Sequence, residues 1–195
     1  MKKIIIGISG ASGAVYGVRM LRMLQDVPDV ETHLIVSSAG WMNVRHELAM
    51  NKPELHSLAD QIHTDGDIGA CIASGSYKVD GMIIAPCSVK TMASIANGIC
   101  GTLISRAADV CLKERRRLVL MVRETPLHLG HLRNMALVTE IGAIVAPPVP
   151  AFYAKPATIE DMVDQTNAQV LDGFGIEVPE HLKVWPGLKG NGLKG

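Results

Sequence analysis

Aromatic residues are scarce in this chain: two Trp, three Tyr and two Phe among 195 residues, or 4%. That is too few for the ring platforms on which single-stranded nucleic acids stack. Charge is scarce too. Asp, Glu, Lys and Arg make up 19%, with 19 basic residues cancelling 19 acidic ones. A neutral chain has no net field to draw it onto nucleic acid or an anionic membrane. A charged fraction below the roughly 25% of an average soluble domain fits a surface partly buried between subunits, so a homo-oligomer is expected. The four cysteines, Cys71, Cys87, Cys100 and Cys111, form no Cys-x-x-Cys pair and no regular framework. This excludes a disulfide-stapled secreted module and predicts reduced thiols in a cytoplasmic protein. Long apolar runs are also missing. The opening Met1-Lys2-Lys3-Ile4-Ile5-Ile6 imitates a secretory signal but breaks at Gly7, which is too early. No stretch approaches the roughly 20 apolar residues of a membrane helix.

What is present is 48% hydrophobic residues, arranged in short blocks that alternate with amphipathic ones. Residues 3–8, 30–37, 79–86, 117–123 and 141–146 read as strands, four of them as buried runs. Residues 13–25 carry Val15, Val18, Leu21 and Leu24 at near-helical spacing. Further helices are predicted from Ser38 towards Met50, over 89–97 and 103–116, from 126 to about 140, and over 158–173. Thr125 and Pro126 read as the cap and first position of the fourth of these, and Pro86 reads as the end of the 79–86 strand. Residues 51–78 read as loops and a short helix. The pattern predicts one α/β domain over 1–173, a three-layer α/β/α sandwich on a mainly parallel sheet, followed by an irregular tail over 174–195. Such sheets bind ligands beyond the carboxyl ends of their strands, so the loops there hold the candidate chemistry.

The first of these loops, Gly7-Ile8-Ser9-Gly10-Ala11-Ser12-Gly13, is neither G-x-G-x-x-G nor a Walker loop. Its glycines still let backbone approach a ligand, and the helix behind it offers N–H groups to an anion. The alternative is a tight strand–helix turn. Ser37-Ser38-Ala39-Gly40 reads first as a helix cap. Pro86-Cys87-Ser88-Val89-Lys90-Thr91 puts hydroxyls and a lysine at another helix start, with Cys87 best read as a small buried thiol. Arg123-Glu124 ends a buried strand with two charges that need partners or a ligand. Pro147-Pro148-Val149-Pro150-Ala151-Phe152-Tyr153 can present Tyr153 on a stiff loop, or simply pack. Lys113, Arg115, Arg116 and Arg117 read as a solvated helix end, with Arg106 on the face of Lys113. His128 and His131 lack an acidic or cysteine partner, so no metal site is expected.

Taken in order, these loops resemble the UbiX flavin prenyltransferases, long described as aromatic-acid decarboxylases. Arg106-Ala107-Ala108-Asp109-Val110 and Leu112-Lys113-Glu114-Arg115-Arg116 add to the likeness, which runs from residue 3 to about 173. The resemblance implies a Rossmann-like, flavodoxin-type fold that binds FMN. It also implies transfer of the dimethylallyl group of dimethylallyl monophosphate to N5 and C6 of reduced FMN, without a metal. The prenylated FMN would serve a separate UbiD-type decarboxylase. Carried onto this chain, Gly10, Ala11, Ser12, Ser37, Ser88, Val89, Lys90, Thr91 and Arg123 would bind FMN. Arg106, Lys113, Arg123, Tyr153 and Gln169 would bind the prenyl phosphate. Ser12, Glu124 and Glu47 would be catalytic, with Glu47 and Arg106 reaching across subunit contacts of a homo-oligomer, expected to be a dodecamer. Trp185 matches a C-terminal tryptophan of the family only loosely. Gln169 departs from the family's usual Arg or Lys, and Trp41 is bulky for its position. The competing reading is an FMN-dependent decarboxylase of aromatic acids or of the cysteine-decarboxylase type. The latter calls for a histidine after residues 30–37, and His46 and His56 lack the expected context.

Overall fold

Successive side chains of a strand face opposite ways, so the isoleucines near the N-terminus divide themselves between two layers. In the computed structural model, which describes residues 1–187, they lie on β1 (Lys2–Ile8). Ile4, Ile6 and Ile8 join one core, and Ile5 joins the other. All four are fully buried, each contributing on the order of 2 kcal/mol by leaving water. The first core is covered by α1 (Ala14–Gln25), α2 (Ser38–Leu48) and α7 (Ile159–Asp172). The second is covered by α4 (Val89–Ala96), α5 (Leu103–Lys113) and α6 (Leu129–Glu140). The sheet between them adds β2 (Val30–Val36), β3 (Gln61–Thr64), β4 (Gly81–Cys87), β5 (Arg117–Val122) and β6 (Ile144–Val145). Its order is β3-β2-β1-β4-β5-β6, parallel throughout. This is the expected three-layer, Rossmann-like arrangement, with the strand order reversing between β1 and β4. A short helix, α3 (Lys52–His56), precedes β3.

Several local expectations are corrected. The segment 51–78 contains the edge strand β3, which pairs His33 with Gln61 through Val36 with Thr64. Pro86 does not end its strand. The β4–β5 ladder slips between Ile84 and Cys87, and such an irregularity is where a residue without an N–H is tolerated. Helix α6 starts at Leu129, not 126, because the cap is the His128 ring, whose Nδ1 accepts the Gly130 N–H at 3.0 Å. The strand expected over 141–146 shrinks to two residues. Helix α5 stops at Lys113 rather than 116, and Arg116 turns inward to donate to the carbonyls of Tyr77 and Gly75.

Residues 173–187, after α7, are irregular but docked. Ile176 and Val178 are buried in the first core. Gln165 on α7 exchanges two hydrogen bonds with the Lys183 backbone, at 3.1 and 2.8 Å. Arg19 on α1 grips Asp164 with both prongs at 2.5 Å, and His181 lies 3.5 Å from the same carboxylate. The cysteines are free. Burial pushes the Cys87 and Cys111 thiols up to about 12, so neither is a nucleophile near neutrality. No helix among the described residues is long and apolar enough to cross a membrane.

Candidate active site

The carboxyl edge of the sheet opens into a cleft of about 770 Å³, within the range that holds cofactors. Its walls come from the loops after β1, β2, β4 and β5, and from the start of α5. Ser9 stitches two of these loops together. It is fully buried; its hydroxyl donates to Pro86 O at 2.8 Å and accepts the Ser88 N–H at 2.8 Å. Gly10 permits a second junction. A Cβ there would lie 2.5 Å from the Cβ of Ala39, closer than carbon atoms approach, so the first loop and the start of α2 touch only because residue 10 has no side chain.

Four helix N-termini surround this cleft, and their partners distinguish them. Gly13, at φ 100°, precedes α1 and offers no side-chain cap. Glu47, from α2, accepts the N–H groups of Gly13 and Ala14, each at 2.9 Å. Asn43, one turn earlier, donates to Ala11 O at 2.7 Å. The N-terminus of α5 is met by Asp65, whose carboxylate accepts from Ile104 at 3.0 Å and whose carbonyl accepts from Leu103 at 2.7 Å. Both of these positive helix ends already face an acidic side chain. The other two do not. Ser37 accepts from Gly40 on α2 at 3.0 Å, and Ser88 accepts from Thr91 on α4 at 3.2 Å. Neither α2 nor α4 carries an acid in its first turn. A neutral hydroxyl cap leaves the helix dipole uncompensated, so the ends of α2 and α4 are where a phosphate gains most.

Gly10, Ala11, Ser12, Ser37, Ser88, Val89, Lys90, Thr91, Arg123 and Glu124 all line the cleft. Ala39, Val89, Ile99 and Ile104 supply an apolar wall on which a flat ring system can lie. Arg123 is exposed, and its backbone N–H is fixed to Cys87 O at 3.1 Å. Burial raises the pKa of the half-buried Tyr16 phenol, and the nearby Arg123 charge opposes that rise. Glu124 is exposed and accepts its neighbour Thr125 N–H at 3.0 Å.

Arg106, Lys113, Tyr153, Gln169 and Glu47 do not line the cleft of this chain. Arg106 donates to Ala73 O and pairs with Asp109, at 3.1 and 3.0 Å. Lys113 pairs with Glu114. Gln169 is exposed on α7. Tyr153 meets Trp185 edge-on, ring centres 5.6 Å apart, and Lys183 ties the tail to Ala154 O at 3.1 Å. The tail therefore brings Trp185 to the loop of Tyr153, a placement the poorly aligned tail sequence did not provide. Trp41 packs edge-on against His56, with Lys52 over its ring, and does not line the cleft. His46 and His56 do not line the cleft either. Sequence reasoning missed Ser9, Asn43 and Asp65, whose roles lie in hydrogen bonds to segments far along the chain.

A family model described as Flavoprotein matches residues 1–171. The chain is 55% identical over 188 residues to the flavin prenyltransferase UbiX of Neisseria meningitidis serogroup B, covering 96% of this chain and 98% of that protein. Among solved structures it resembles AnUbiX (PadA1) in complex with FMN and dimethylallyl pyrophosphate. The TM-score is 0.92 at 46% identity, covering 95% of this chain and 98% of the other. It equally resembles a dodecameric FMN-dependent UbiX-like decarboxylase from Escherichia coli O157:H7. There the TM-score is 0.92 at 45% identity, over 95% and 100% of the two chains.

Proposed function

The chain belongs to the UbiX family of flavin prenyltransferases, and from that premise we propose that it joins the dimethylallyl group of dimethylallyl monophosphate to N5 and C6 of reduced FMN. The observation that carries this reading is the convergence in one cleft of two helix ends open to an anion, an apolar wall and the Ser12, Arg123 and Glu124 side chains. The residues present fit FMN. The N-termini of α2 and α4, with Ser37, Ser88 and Thr91, would hold its phosphate, and Ala39, Val89 and Ile104 would flank its rings. Bound there in reduced form, the flavin supplies the two nucleophilic positions that take up the five-carbon unit.

The chain's own residues then have three tasks. The C–O bond of the allylic phosphate breaks, and the electron pair leaves with the phosphate as inorganic phosphate. Arg123 would stabilise that growing charge, as preorganised cations do. One proton must leave N5 as the first bond forms, and ring closure must then take the C6 proton while the middle carbon of the five-carbon unit's double bond gains one, so that the second step is proton-neutral overall. Glu124 and Ser12 would form the relay, a carboxylate being a suitable acceptor at this edge. Water must be kept from the cationic allyl fragment, a task for the apolar wall. Arg106, Lys113, Tyr153 and Gln169 lie outside the cleft of a single chain, which supports their acting, with Glu47, at contacts between copies. A dodecamer, like that of the E. coli relative, would supply such contacts. A UbiD-type decarboxylase would receive the product, in the cytoplasm.

Anaerobic incubation with reduced FMN and dimethylallyl monophosphate, followed by mass spectrometry of the released flavin, tests the reaction. A flavin heavier by one five-carbon unit is expected; unchanged flavin in a protein that retains FMN overturns the assignment. Gln169 adds a second expectation. Glutamine donates a neutral hydrogen bond where arginine would add charge, a difference of about 1 kcal/mol. Gln169→Arg is therefore expected to lower KM for the prenyl phosphate about fivefold with kcat little changed. An unchanged KM would place residue 169 away from that phosphate.

A further inference from the structure

At the far edge of the sheet, away from the cleft, three metal-ligating side chains from three separate segments meet. His33 is on β2 and His63 on β3. Since Ile35 is the register partner of His63, the two histidines lie one two-residue step apart on the same face. Their ring centres lie 5.2 Å apart with planes inclined by 14°, and His33 Nδ1 lies 2.9 Å from His63 Nε2, so the rings meet end to end. Cys71 opens the short turn Cys71–Ala73, which Ile72 and Ala73 anchor in the second core. The two imidazole nitrogens and the Cys71 sulfur all lie within 4.8 Å of one another.

We propose that His33, His63 and Cys71 form a binding site for a borderline-soft divalent ion of the zinc class, two imidazoles and one thiolate leaving a fourth position to water. The residue types are those zinc takes, nitrogen at about 2.0–2.1 Å and sulfur at about 2.3 Å. A tetrahedral ion with those bonds sets its two nitrogens about 3.3 Å apart and each nitrogen about 3.6 Å from the sulfur. The histidine pair, whose rings meet end to end, needs to open by a few tenths of an ångström and each ring to tilt by about 35° so that both lone pairs converge on the ion. The exposed Cys71 side chain needs to swing inward by at most about 1.2 Å, a motion a single χ1 adjustment supplies.

The surroundings of His33 are those of a ligand with an outer shell. Its ring is 1% exposed. Its Nε2 is 3.2 Å from Glu31 Oε1 and 3.3 Å from the Tyr77 hydroxyl. Lys3 holds both of these, donating to Tyr77 at 2.8 Å and pairing with Glu31 at 3.1 Å. An acceptor-only carboxylate assigns the proton to Nε2 and leaves the Nδ1 lone pair facing His63 and Cys71. A histidine that donates its other N–H to a carboxylate is the usual second-shell arrangement of a zinc ligand. On binding, His63 carries its proton on Nδ1, and Cys71 releases its thiol proton to solvent. His63 lies two residues before Asp65, so the ion would brace the segment that meets the start of α5.

The test is a Co²⁺ titration of tag-free, metal-stripped, reduced protein without flavin. Prenyl transfer plays no part in the readout, so this site and the proposed reaction stand or fall separately. One Co²⁺ per chain is expected, with a near-ultraviolet thiolate-to-cobalt charge-transfer band and the visible bands of a tetrahedral ion, both erased by Zn²⁺. Cys71→Ser, at an exposed position, should remove the charge-transfer band and weaken binding at least tenfold. Glu31→Gln should weaken binding about tenfold while keeping the band. Cys100→Ser should change neither. Absence of saturable binding at one equivalent, or a band that survives Cys71→Ser in a chain folded by circular dichroism, overturns the site.

Discussion

Glu124→Gln is expected to slow prenyl transfer by about 10²–10⁴-fold, the usual contribution of a positioned acid or base, while FMN affinity stays nearly constant. Glutamine keeps the size of the side chain and the acceptor of the Thr125 N–H, so the loop after β5 keeps its shape. What is lost is the capacity to take a proton. Single-turnover anaerobic kinetics followed by flavin absorbance measures the first quantity, and flavin fluorescence titration the second. A parallel loss of binding and rate would make Glu124 a ligand-holding residue; an unchanged rate would remove it from the proton path. An Arg123→Ala chain should behave differently, losing affinity and rate together, because that guanidinium is assigned to both FMN and the prenyl phosphate.

Gly10→Ala is expected to weaken FMN binding about 10–100-fold, from the 1–3 kcal/mol that overpacking typically costs. The added Cβ would meet the Ala39 Cβ at 2.5 Å, and the first loop and the start of α2 would have to separate. That separation moves the N–H groups assigned to the flavin phosphate. The effect has a built-in rescue. Ala39→Gly removes the atom that is struck, so the double variant should recover most of the affinity, a coupling expected of residues in direct contact. Gly66, where an added Cβ would meet nothing within 4 Å, is the control, and its change to Ala should leave binding alone. Failure of the double variant to recover would mean that Gly10 serves the ligand directly rather than the loop junction.

How much of this was legible in the residues depends on how local each determinant is. The run Ile4-Ile5-Ile6 announces a strand buried on both faces, since a parallel strand between two helical layers has no wet side. Thr158 with Asp161 announces the start of α7, because a capping box is written within four residues. The cleft's Gly10, Ser12, Ser88 and Arg123 were legible for a related reason. An open parallel sheet places every loop after a strand at one edge, so once the strands are placed, the loops that share the cleft follow. Strand β3 was not legible. Gln61-Ile62-His63-Thr64 is a short edge strand with a single aliphatic residue, and its pairing comes from β2 rather than from its own pattern.

Residue order alone carries the layers, the parallel arrangement of the main strands and the family, all of which rest on hydrophobic periodicity and contiguous loop motifs. Which helix ends remain open to an anion is settled by packing. Glu47 reaches Gly13 across 34 positions, and Asp65 reaches Ile104 across 39. Packing also gathers His33, His63 and Cys71 at one point and sends Trp185 back to Tyr153. The physical reason is the same in each case. Burial patterns and caps are properties of neighbouring residues, whereas a carboxylate satisfying a distant helix or three ligands sharing one centre depends on how the packed layers bring remote segments together.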